Sequence, residues 1–114
     1  MTEAQAALVE TLAGALGADP RVRSVWLSGS LARDGGDPWS DVDLVAEVDE
    51  PSRAPCLADY RQDRRDMPPT VLARVLYGCI LTAVTTDWAR FDIHFADPTE
   101  LAGMDAGALS LIHI

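Results

Sequence analysis

Leu27-Ser28-Gly29-Ser30-Leu31-Ala32-Arg33, followed after a glycine-rich loop by Trp39-Ser40-Asp41-Val42-Asp43-Leu44, carries the strongest fold signal in the chain. Val22, Val25, Trp26 and Leu27 make a short β-prone run, and Ser28-Gly29-Ser30 turns sharply out of it, with Leu31-Ala32-Arg33 placed to begin a helix. Asp34-Gly35-Gly36-Asp37-Pro38 breaks both helical and strand periods and reads as loop. From Asp41 the alternation is strict: Val42, Leu44, Ala46 and Val48 face one way, and Asp41, Asp43, Val45 and Glu47 the other. Asp41 and Asp43 therefore project from one strand face about 6.6 Å apart, close enough for both side chains to converge on one ion.

Working outward, Thr2 and Gln5 stand in capping-box spacing ahead of Leu8, Val9, Leu12 and Leu16, and Gly17 and Pro20 close an amphipathic first helix. Pro51 to Asp66 is polar and arginine-rich, with Leu57 and Tyr60 at helical spacing, and reads as a solvated helix. Val71–Tyr77 and Ile80–Thr86 read as two strands with Gly78 between them, and Thr86-Asp87 as a turn. In the last strand Phe91, Ile93 and Phe95 alternate with Arg90, Asp92 and His94, so Asp92 points away from the core. Trp26 and Trp88 are expected in the core. The order of elements predicts an α+β domain, a mixed sheet with helices packed mainly on one face, without internal repeats.

The chain has 114 residues, enough for one domain, and 48% hydrophobic residues support a packed core. Eighteen acidic against nine basic residues, none of them lysine, give a formal charge of −9. That argues against extended nucleic-acid binding, which draws its affinity from basic side chains neutralising phosphates. A phosphate ligand has to arrive with metal ions or meet a few placed groups. Cys56 and Cys79 form no C-x-x-C pair and no signal peptide precedes them, so they read as reduced, buried thiols in a cytoplasmic protein. No apolar run approaches the roughly 18 residues of a spanning helix.

If the Asp92 strand pairs beside the Asp43 strand, roughly 4.8 Å away, Asp41, Asp43 and Asp92 line one patch whose mutual repulsion calls for a divalent cation. Mg²⁺ suits it, because that ion prefers a few carboxylates plus substrate oxygens and water to a full protein cage. Upstream, the backbone N–H groups of Gly29 and Ser30 and the Ser30 hydroxyl are placed to meet an anion, with Gly29 permitting close approach.

Strand-Gly-Ser, hydrophobic-Asp-hydrophobic-Asp and a distant third carboxylate, here Leu27-Ser28-Gly29-Ser30, Asp41-Val42-Asp43-Leu44 and Phe91-Asp92-Ile93, resemble the nucleotidyltransferase superfamily related to DNA polymerase beta. The likeness spans about residues 22–96, and it is nearest to the bacterial antibiotic-modifying and minimal nucleotidyltransferases. The resemblance implies transfer of a nucleoside monophosphate, AMP from ATP in the usual case, to a hydroxyl of a small molecule such as an aminoglycoside, with release of pyrophosphate. It implies two Mg²⁺ ions about 3.5–4 Å apart. Asp41 and Asp43 would bind both, and Asp92 would bind the one nearer the acceptor and assist removal of the hydroxyl proton. Gly29, Ser30, Arg33 and Ser40 would contact the nucleotide, Gly29 and Ser30 through the β- and γ-phosphates. The acidic charge would attract a polycationic acceptor. An alternative within the resemblance is an antitoxin-like member that modifies or binds a partner toxin protein. A third is a regulatory module without chemistry, against which the intact carboxylates speak.

Other residues keep two readings. Arg33 reaches a phosphate or pairs with Asp34 or Asp37; Trp39 stacks on a base or plugs its loop; His94 hydrogen-bonds near the metal or is a partly exposed strand histidine. Antibiotic-modifying relatives place much of the acceptor site in a following helical domain, which nothing after Glu100 resembles. Leu109-Ser110-Leu111-Ile112-His113-Ile114 reads like a translated sequencing-library adapter. The expected catalytic domain is therefore residues 1–108, with 109–114 a non-native tail and the natural protein continuing beyond.

Overall fold

The computed structural model of the chain describes residues 1–32 and 37–113. Helix α1 (Glu3–Gly17) starts at the capping box: the Gln5 N–H donates to Thr2 Oγ1 at 3.0 Å and the Thr2 N–H to Gln5 Oε1 at 2.8 Å. Leu12 and Leu16, one helical turn apart, are fully buried. Gln5 is buried as well, and its Nε2 donates to the carbonyls of Asp37 at 2.8 Å and Ser40 at 3.1 Å. The loop before the paired aspartates is thereby tied to the start of α1.

Strands β1 (Val22–Ser28), β2 (Val42–Val48), β3 (Thr70–Leu76), β4 (Ile80–Thr85), β5 (Arg90–Ala96) and β6 (Ser110–His113) form one sheet in the order β3-β4-β5-β2-β1-β6. Among these ladders only β2 and β5 run parallel, joined through helix α2 (Glu50–Arg61) and the β3–β4 hairpin. That hairpin turns at Tyr77 and Gly78, both left-handed with φ 54° and 68°. Helices α1 and α2 cover one face, where Val42, Leu44, Phe91, Ile93 and Phe95 meet Leu12, Leu16, Cys56 and Leu57. Burying these side chains contributes roughly 1.5–3 kcal/mol each and holds the layers together. Tyr60 of α2 packs on Phe95 with ring centroids 5.7 Å apart. The short helix α3 (Pro98–Ala102), capped by Asp97, is held to α2 through ion pairs of Arg53 with Asp97 and Glu100.

Several expectations change. Leu31-Ala32 lies in a 3-10 turn (Gly29–Ala32) within the described residues, and Arg33 to Gly36 lie outside them. The segment read as a solvated helix ends at Arg61 and buries Cys56, Leu57 and Tyr60 against the sheet. Cys79 is half-exposed rather than buried. Trp26 is outside the core: strand alternation sets it on the Asp43 face, where its Nε1–H donates to Ser24 Oγ at 2.8 Å and Ser24 donates to Glu47 at 2.9 Å. Trp88 is 79% exposed, because it sits in the β4–β5 turn rather than in a strand. Ser110–His113 pair with β1 as an edge strand exposed along its length. Among the described residues no helix is long and apolar enough to cross a membrane.

A polar network buttresses α1 against α2. The Asp19 carboxylate, 6% exposed, accepts from Arg21 Nη2 at 2.7 Å and from the Tyr60 hydroxyl at 2.9 Å. The Arg21 guanidinium beside it, aided by the Arg21 and Tyr60 donors, holds its carboxyl at about 2. A depressed carboxylate contributes stability that is complete above its unfolded value of 3.8 and is lost as pH falls toward 2. Asp19→Ala is expected to lower stability by about 2–4 kcal/mol at pH 7, since it strands a buried hydroxyl and a guanidinium. Denaturant unfolding of both proteins at pH 7 and pH 2.5 checks this: the difference should shrink at the acid end.

Candidate active site

The site forms where β1 ends and β2 and β5 begin. Ser28 of β1 lies opposite Asp43 of β2, and its hydroxyl donates to the Asp43 carbonyl at 3.3 Å. The chain then turns at Gly29 with φ 68°, a left-handed conformation that costs a residue with a Cβ roughly 1–2 kcal/mol. A Cβ there would also overlap Asp43 Oδ2. Glycine at 29 is therefore required both by the turn and by the nearness of the carboxylate.

The parallel β2–β5 register sets Asp43 directly beside Asp92, with Thr82 of β4 next in line. Asp43 is pushed up to about 6, chiefly by burial and then by the charges of Asp92 and Asp41. Asp92 Oδ1 is buried without a hydrogen-bond partner. Asp41 lies on the same face but leans the other way, its Oδ2 3.8 Å from Arg90 Nε. One residue, Val42, separates it from Asp43, and Arg90 supplies it with a positive partner.

Among the described residues no three His, Cys, Asp or Glu side chains converge closely enough to hold a metal ion. What is formed is a pair, Asp43 and Asp92, with the third carboxylate beside it. The pair fits a divalent cation: it has an orphaned carboxylate oxygen, a raised acid relieved by positive charge, and a glycine keeping the approach open.

A cavity of about 320 Å³ opens over the pair, lined by Ser28, Gly29, Asp43, Asp92, His94 and, from the C-terminal segment, Met104 and Leu109. His94 Nε2 is buried without a partner, and burial with the nearby Arg53 charge lowers the imidazole's pKa. Ser30 is exposed at the turn. Ser40 spends its hydroxyl on its own loop, donating to Asp37 Oδ1 at 3.1 Å and accepting from the Asp37 N–H at 3.0 Å. Arg33 lies outside the described residues. Trp39 is 90% exposed and so does not plug its loop. Met104 and Leu109 were not legible as site residues, since nothing in their local pattern signals that the chain folds back over the sheet.

A family model described as Nucleotidyltransferase domain matches residues 9–88, well over half of the chain. No curated protein matches the sequence.

Without metal, the raised Asp43 favours the folded state only while protonated. Its contribution is complete below the unfolded value of 3.8 and is lost as pH rises through about 6. In EDTA, Asp43→Asn is accordingly expected to melt at a higher temperature than the wild type at pH 7.5, with the gap closing toward pH 4. Parallel calorimetric scans would show it, and equal melting temperatures throughout would contradict the like-charge burial. Gly29→Ala is expected to lower stability by about 1–3 kcal/mol at pH 7, read by denaturant unfolding.

Proposed function

The chain belongs to the nucleotidyltransferase domain family, whose members are generally enzymes, and from that premise we propose that it transfers a nucleoside monophosphate from a nucleoside triphosphate to the hydroxyl of a small molecule. The observation that carries the reading is the Asp43–Asp92 pair beside Gly29: two carboxylates in register across parallel strands, one with a buried unpartnered oxygen, at the end of a strand that turns through a glycine.

Asp43 and Asp92 would hold a divalent cation, Mg²⁺ by preference, with Asp41, still paired to Arg90, beside them. The cation supplies charge neutralisation of the triphosphate and of the oxygens that gain charge during transfer. Gly29 and Ser30 receive the β- and γ-phosphates on backbone N–H groups and the serine hydroxyl. Asp92 accepts the proton of the acceptor hydroxyl as its oxygen forms the new bond to the α-phosphorus. The bond from that phosphorus to the bridging oxygen breaks, and pyrophosphate leaves with the electron pair. The acceptor is a polyhydroxylated, amine-bearing small molecule, which a chain of formal charge −9 attracts.

Titration of the chain with ATP in Mg²⁺ and in EDTA tests the reading, with pyrophosphate release measured on an aminoglycoside acceptor. Metal-dependent binding is expected, and Asp43→Asn should lower turnover by about 10²–10³-fold, the scale for removing one preorganised electrostatic stabiliser. Wild-type turnover in Asp43→Asn would sink the proposal.

A further inference from the structure

Beyond the carboxylates, at the same end of the sheet, lies a second cavity of about 240 Å³. Its lining includes Gln5 and Leu8 of α1, Trp39, Asp41, Trp88 and Arg90. Both indoles stand in solvent, Trp39 90% and Trp88 79% exposed. A buried indole removes some 150–250 Å² of largely apolar surface from water, and these two forgo most of that gain.

Trp88 also sits in a strained conformation. The turn closes with the Trp88 N–H donating to the Thr85 carbonyl at 2.9 Å and the Thr85 N–H to the Ala89 carbonyl at 2.8 Å. Trp88 occupies the left-handed position of that turn, φ 65°, where glycine is the unstrained choice. Folding gains nothing from a tryptophan there. Trp39 is held in place: its N–H donates to Asp37 Oδ1 at 2.9 Å, and Gln5 fastens the Asp37 and Ser40 carbonyls to α1.

We propose that this cleft receives the planar base of the nucleotide, stacked on Trp39 and Trp88. The inference rests on the nucleotidyl-transfer reading above, because it takes the phosphates to lie at Gly29 and the carboxylates. Asp41 lines this cleft and not the Gly29 cavity, while Asp43 and Asp92 line the Gly29 cavity and not this cleft. A nucleotide with its α-phosphate at the carboxylates and its β- and γ-phosphates at Gly29 has its nucleoside directed past Asp41 into the indole-walled space. The binding chemistry is face stacking, which every base offers. Most polar side chains lining the cleft are already engaged, Asp41 with Arg90, Thr2 and Gln5 at the start of α1 and Ser40 with Asp37, so the cleft discriminates little among bases.

The test compares two probes, Mg-ATP and Mg-tripolyphosphate, which lacks sugar and base, by calorimetry on the wild type, Trp39→Ala and Trp88→Gly. Loss of one stacking partner is expected to weaken Mg-ATP about 5- to 100-fold and leave Mg-tripolyphosphate unchanged. Trp88→Gly relieves the left-handed strain, so its melting temperature should equal or exceed that of the wild type, which separates lost binding from lost folding. ATP, GTP, CTP and UTP should bind within about tenfold of one another, as stacking without edge readout requires. Unchanged Mg-ATP affinity in both variants, or a preference above about a hundredfold for one base, would overturn the stacking cleft while leaving the phosphate site intact. Failure of both probes to bind the wild type would overturn the nucleotidyl-transfer reading, and this one with it.

Discussion

The parallel pairing of β2 with β5 is the constraint on which the site depends. An antiparallel partner at this position would bring a different end of β5 beside Asp43, and a one-residue slip would send Asp92 into the core. The observed register instead sets Asp43 against Asp92 while Val42, Leu44, Phe91 and Ile93 pack under α1 and α2. The same apolar contacts that stabilise the sheet therefore hold two like charges together. Hydrophobic burial over the whole layer outweighs the local repulsion between them.

Placement of the arginines explains why the repulsion persists. Arg21 pairs with Asp19 and Asp59, Arg23 with Asp49, Arg53 with Asp97 and Glu100, and Arg64 with Asp66. Those pairs tie helices and loops to one another away from the carboxylate cluster. Arg90 is the described arginine paired at the cluster, and it is drawn to Asp41. Among the described residues no arginine forms an ion pair with Asp43 or Asp92, and the Asp43 carboxyl stays raised despite the nearby Arg90 charge.

Two left-handed backbone positions lie at the site end of the sheet. Gly29 takes a left-handed conformation in which a Cβ would meet the Asp43 carboxylate, so the glycine keeps Asp43 accessible. Trp88 takes nearly the same conformation with the largest side chain of all, and presents it to solvent. One position gives up a side chain to open a path to the carboxylates, and the other accepts strain to display an indole beside them. Neither choice improves packing, and both lie at the end of the sheet where phosphate and base would meet the protein.

Strand alternation and capping were legible locally. The 41–48 repeat assigns faces because successive side chains must oppose one another, and Thr2 with Gln5 marks a helix start because the orphan N–H groups there need acceptors. From the sequence come α1, the strands β1 to β5, the α+β class and the projection of Asp41, Asp43 and Asp92 away from the core, while α3 and β6 go unread. Local pattern carries no information on which strands become neighbours, where a turn residue's side chain ends up, or which charge finds a partner. Trp88 reads as core because its side chain is apolar, yet its place in the four-residue β4–β5 connection puts it in water. That Asp43 meets Asp92 while Asp41 pairs with Arg90, and that Met104 and Leu109 line the cavity, follows from tertiary packing. These contacts join residues far apart in the chain, and their geometry is set by the packing of the whole sheet against α1 and α2.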